Sequence, residues 1–87
     1  DPQHTQHYFS AAPNPFKDEL DVLLDRVADT PVRLQLVNLQ GQFVLDQEME
    51  AGQSAYSLST AQLPRGFYLL RVEADGETQV LKVVKSE

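Results

Sequence analysis

The sequence contains no cysteine and no tryptophan. Without cysteine no disulfide can staple the fold and no thiolate is available for chemistry, though the absence does not identify a compartment. Basic charge is scarce: seven Lys and Arg stand against thirteen Asp and Glu, a net charge of −6. A nucleic-acid binder needs a basic footprint to neutralise phosphates, so that class is excluded. The balance suits a weakly self-repelling module. No apolar run approaches the ~18 residues of a membrane-spanning helix. The chain opens Asp1-Pro2-Gln3-His4, without the apolar core of a signal peptide and without an initiator methionine. The expectation is a piece of a longer protein whose leader lies elsewhere.

Catalytic groups are equally sparse. Ser54, Ser57, Ser59 and Ser86 have no glycine elbow beside them. The two histidines, His4 and His7, both fall in the polar first twelve residues, which leaves a Ser-His-Asp triad without its base. No glycine-rich phosphate loop is present. An enzyme reading has no residues to stand on, and no cofactor is expected.

What is present is a succession of strands. Eighty-seven residues make one small domain, which buries about 60–65% of the surface its unfolded chain exposes. Leu20, Val22 and Leu24 alternate with neighbours such as Asp21 and Asp25, a period of two. Thr30-Pro31 breaks that run, and Val32, Leu34 and Leu36 begin a second. Gly41 supplies a tight turn into a third strand over residues 42–49. A break at Gly52 leads to a short fourth at 55–59, with Tyr56 and Leu58 on one face. A corner follows at Leu63-Pro64-Arg65-Gly66. Residues 67–74 are the most β-prone run, with Tyr68, Leu70 and Val72 on one face. Asp75-Gly76 marks a hairpin into a last strand at 77–85. No segment shows a helical period. The spacing predicts an all-β fold, a small immunoglobulin-like antiparallel β-sandwich of about seven strands. Six strands are distinct, and the Phe16 region is the candidate seventh. Residues 1–12 read as a linker or loosely docked arm, and 13–87 as the sandwich.

Ahead of the first strand stands Pro13-Asn14-Pro15-Phe16. Each proline lacks an N–H and disfavours helix at the residue before it, so the strip is extended and poor in donors. Such a strip belongs at a sheet edge or a strand's first residues. Other patterns invite chemistry. His4 and His7 have a spacing that two metal ligands use on a helix, but nothing nearby supplies a third ligand, which favours exposed linker histidines. Asp18, Glu19, Asp21, Asp25 and Asp29 invite calcium, though their spacing matches no EF-hand and suits a solvated strand face. Asp46, Glu48 and Glu50 repeat as an outward polar face. Tyr8, Phe9 and Phe16 form either a ligand-stacking surface or plugs at one end of the core.

Three features in order carry a resemblance: Pro13-Asn14-Pro15-Phe16, the corner Leu63-Pro64-Arg65-Gly66-Phe67-Tyr68, and the ending Lys82-Val83-Val84-Lys85. Between the first two lies a strand–Gly41 turn–strand unit. Together, over residues 13–86, they resemble the type A C-terminal sorting domain of the type IX secretion system of Bacteroidota. Ala12 departs from the pattern, since the family often has an aromatic there, and Tyr8 or Phe9 is available to fill the place. The resemblance implies a non-catalytic address label on an upstream cargo. That cargo would pass through the periplasm, cross the outer membrane through the translocon with its shuttle protein, and reach the cell surface or the medium. It implies cleavage by a sortase-like cysteine protease within or before residues 1–12, the segment most open to a protease. Gly66 and Tyr68 are assigned to the fold, with the Tyr68 hydroxyl bonding backbone at the sandwich end. Asn14 is expected to turn onto nearby backbone. Lys82 and Lys85, on an otherwise acidic chain, are candidate contacts for an acidic receptor groove, or plain solubilising charges. The last strand adding to a receptor sheet is a further route. A carbohydrate-binding accessory module and a passive spacer in an adhesin are the competing functions.

Overall fold

The computed structural model describes residues 8–86. These form seven strands: β1 (Phe9–Ala12), β2 (Glu19–Leu24), β3 (Val32–Asn38), β4 (Phe43–Met49), β5 (Ala55–Ser59), β6 (Gly66–Ala74) and β7 (Glu77–Lys85). Two antiparallel sheets face each other, one in the order β1-β2-β5 and the other β4-β3-β6-β7. The architecture is the all-β sandwich that the periodicity predicts.

Alternation builds the core. Leu20 and Val22 of β2, Leu34 and Leu36 of β3, Leu70 and Val72 of β6 and Val83 of β7 are wholly buried. Each lies two positions from the next on its strand, so one face of each sheet turns inward. Each such side chain contributes about 1.5–3 kcal/mol of burial. The β6–β7 hairpin closes at Asp75 and Gly76, with φ of 51° and 79°. Paired positive φ angles give the turn whose twist matches its strands.

The seventh strand is not at Phe16. Phe9–Ala12 pair with β2 from Phe9↔Leu24 to Ala12↔Asp21, so residues expected in an arm belong to a sheet. Phe16 makes only an isolated parallel bridge to Lys85. Pro13 and Pro15 explain this: without N–H groups they cannot continue a ladder. Both of their preceding peptide bonds are cis.

Candidate functional site

The three motifs, far apart in sequence, converge at one end of the sandwich. The entry strip lies along the outer edge of β7. Asn14 Oδ1 accepts the Val84 N–H at 3.0 Å. The Phe16 N–H donates to the Val84 carbonyl at 2.8 Å, and the Ser86 N–H donates to the Phe16 carbonyl at 2.9 Å. The strip therefore satisfies the last part of an edge that would otherwise recruit other strands. Asn14 reaches β7 rather than the adjacent backbone expected of a turn residue. Pro13 and Pro15 hold it there on a segment with few donors of its own.

Phe16 turns inward and is fully buried. Its ring lies 6.2 Å from that of Tyr68, tilted by 55°. Tyr68 is buried on the inner face of β6, opposite Val83 and Asn38 on its two neighbours. Its hydroxyl donates to the Pro64 carbonyl, four residues back, so the corner is tied to the strand it starts. Burial raises the Tyr68 pKa above its ordinary value. Gly66 has φ 144°, a conformation that side chains resist. Leu63 packs against the core from the corner. Gly41 closes the β3–β4 turn at the same end, its N–H donating to the Asn38 carbonyl at 3.0 Å.

The last strand divides. Val83 is wholly buried, and Val84 is half-buried on the outer side of the sheet. Lys82 and Lys85 do not share a surface. Residues three apart on a strand point to opposite sides. Lys82 is exposed and places Nζ 4.4 Å above the Phe67 ring, whereas Lys85 is only 3% exposed beside Phe16. The two lysines therefore do not form a joint contact patch.

Two anchors carry no sequence motif. Thr60 is wholly buried, with Oγ1 donating to the Lys17 carbonyl at 2.9 Å and its N–H to the Asp18 carbonyl at 2.9 Å. A lone threonine before a corner gives no advance sign of this. Tyr8 fastens the other end of the entry segment. Its N–H donates to Gln79 Oε1 at 2.9 Å, and its hydroxyl lies 2.9 Å and 2.6 Å from the Val72 and Glu77 carbonyls. Burial, then the charge of Glu77, raises its pKa.

The alternative sites fare differently. Phe9 is 3% exposed and Phe16 wholly buried, so they and Tyr8 make no stacking platform. Phe9 packs edge-on to Tyr8 at 5.8 Å. Asp21 accepts the Ser57 hydroxyl at 2.6 Å. Among the described residues no three His, Asp or Glu side chains gather to hold a metal. His4 and His7 lie outside the described residues. Asp46 faces outward as expected, and the hydrogen bond from Arg33 lowers its pKa.

No curated protein matches the chain. A family model described as the secretion system C-terminal sorting domain matches residues 10–86. Its span begins inside β1 and takes in the entry strip, the corner and the last strand, and the chain belongs to this family of type IX secretion sorting domains.

Proposed function

We propose that this domain marks an N-terminally attached cargo for the type IX secretion system and is recognised as a folded sandwich. The family match carries this reading. A sorting domain of this kind implies export across the outer membrane to the cell surface or the medium. The cargo reaches the translocon from the periplasm, with a shuttle protein as intermediate partner. At the surface a sortase-like cysteine protease cuts upstream of the domain.

The entry segment supports a narrower place for that cut than residues 1–12. Tyr8 is hydrogen-bonded through N–H, carbonyl and hydroxyl, and β1 is paired along its length. A protease needs an extended, accessible chain, so cleavage falls before Tyr8. The motif residues Pro13, Asn14, Pro15, Phe16, Gly41, Leu63, Gly66 and Tyr68 act by making the fold. Within Lys82-Val83-Val84-Lys85, Lys82 is the contact candidate, while Val83 and Lys85 are structural.

The test is to fuse residues 1–87 behind a signal-peptide-bearing reporter in Bacteroidota hosts with and without the translocon, and with and without the protease. The expected result is translocon-dependent release, with a new terminus before Tyr8 only where the protease is present. Reporter retained in the periplasm of every host overturns the reading.

A further inference from the structure

The outer face of the β4-β3-β6-β7 sheet has two unlike halves. One half is mainly polar, with Val80 beside Arg71, and is cross-linked by side-chain bonds. Arg33 grips Asp46 through bonds of 3.2 Å and 2.9 Å, and Arg71 Nη1 donates to Gln35 Oε1 at 2.7 Å. The other half lies toward the Gly41 turn and is apolar. There the register sets Phe43, Val37, Leu69 and Lys82 in one row across all four strands, with Phe67 beside Val84 in the next. Phe43 is 58% and Phe67 47% exposed. Tyr68, next to Phe67, fills the core, so the strand period turns Phe67 to the solvent side, while a register shift between Leu36 and Val37 sets Phe43 opposite Val37 on the same outer face. Phenylalanines exposed in adjacent rows of one sheet face mark an interaction surface rather than scattered apolar exposure.

The charge of this half is distinctive. The chain carries −6 overall, yet the exposed charge in the row is the Lys82 ammonium. It stands 4.4 Å over the Phe67 ring. The ring engages the cation through its face and leaves ammonium N–H donors for a carboxylate.

We infer that this face is the docking surface for a partner protein whose matching surface is apolar and sets a carboxylate against Lys82. The inference rests on the sorting reading, since an address label must be bound along the export route. Charge complementarity selects this occupant. A second copy would bring two chains of the same net charge together and offer no carboxylate from this row to Lys82. An anionic lipid surface would repel the molecule as a whole.

The test uses the same reporter fusion in hosts with and without the translocon, carrying Phe43→Ser with Phe67→Ser, Lys82→Glu, or Lys82→Arg. The purified domains are melted in parallel. Sedimentation and binding to phosphatidylcholine–phosphatidylglycerol vesicles are measured as well. The expected result is loss of export by about ten-fold or more for the serine pair and for Lys82→Glu, as for central interface anchors. Lys82→Arg is exported like wild type, and the Lys82 variants melt like wild type. Should the serine pair fail to fold, the Lys82→Glu and Lys82→Arg pair decides alone. Wild-type export of Lys82→Glu, in a host where the unmodified fusion depends on the translocon, overturns the docking surface and leaves the sorting reading standing. Retention of the unmodified fusion in both hosts removes both. Dimerisation or vesicle binding that a folded serine pair or Lys82→Glu abolishes overturns the inference in favour of a second copy or of lipid.

Discussion

Asn14 and Val84 are joined by a 3.0 Å hydrogen bond across 70 residues of chain. The bond fastens the entry strip to the final strand, and the bridge between Phe16 and Lys85 extends the clasp. The N-terminal approach to the domain and its C-terminal strand are thus one structural unit. Replacing Asn14 with Ala removes the acceptor and leaves the Val84 N–H to water. The expected cost is about 1 kcal/mol, read as a fall in melting temperature of about 4–8 °C. Asn14→Asp keeps an acceptor and should lose less. A melt unchanged by Asn14→Ala would show that the clasp carries no stability.

Phe16 and Tyr68 allow packing and hydrogen bonding to be separated. Tyr68→Phe keeps the ring against Phe16 and deletes only the bond to Pro64, which should cost about 1 kcal/mol by denaturant titration. Phe16→Ala opens a cavity beneath the strip and should cost about 3–5 kcal/mol. That is a large share of the roughly 5–10 kcal/mol expected of a small domain. Equal effects from the two variants would contradict this division.

Gly66→Ala tests the corner. An added Cβ meets nothing within 4 Å, so any loss comes from the backbone at φ 144° alone. The expected loss is about 1–3 kcal/mol. Ala at Arg65, exposed and one residue earlier, should change little and serves as the control.

Tyr8 and Tyr68 make stability fall at alkaline pH. Both phenols have pKa values raised in the fold, chiefly by burial. A raised folded pKa means that the native state holds its proton more tightly than the unfolded chain. That contribution is complete below the unfolded value of about 10 and is lost as pH climbs through the folded values. Denaturant midpoints between neutral pH and pH 11 should show the decline. Replacing both residues with Phe should flatten it, whatever the variant's stability at neutral pH.

Truncation after Val80 should unfold the domain. It removes Val83 from the core together with the residues that Phe16 and Asn14 bond. Circular dichroism should show loss of the cooperative melt. Loss of export on this truncation would therefore report a broken fold, and Lys82 substitutions are the cleaner probe of recognition.

The sequence was most legible where alternation is long and turns are chemically marked. β5 and β7 have the expected limits, and Asp75-Gly76 turns as expected. β1 escaped because four residues give too few alternations to separate a strand from an arm. Its partner strand, not its own composition, defines it. Lys85 is buried although its charge suggests exposure, because the strand period places it on Val83's side of the sheet. Phe43 is hidden from sequence because alternation from Leu45 would turn it inward, which the register shift between Leu36 and Val37 reverses, and Phe67 is hidden for a related reason. Apolar residues on both faces of β6 do not announce which face meets the opposing sheet. Only the cross-strand register shows that Phe43 shares its row with Lys82, and that Phe67 lies in the next.

The most direct measurement is the share of a fluorescent reporter, fused ahead of residues 1–87, that leaves the cell in paired hosts differing only in the type IX translocon. The sorting account predicts reporter on the surface or in the medium of the translocon-bearing host and none outside its partner. Reporter that stays folded in the periplasm of both hosts, or escapes equally from both, would contradict it.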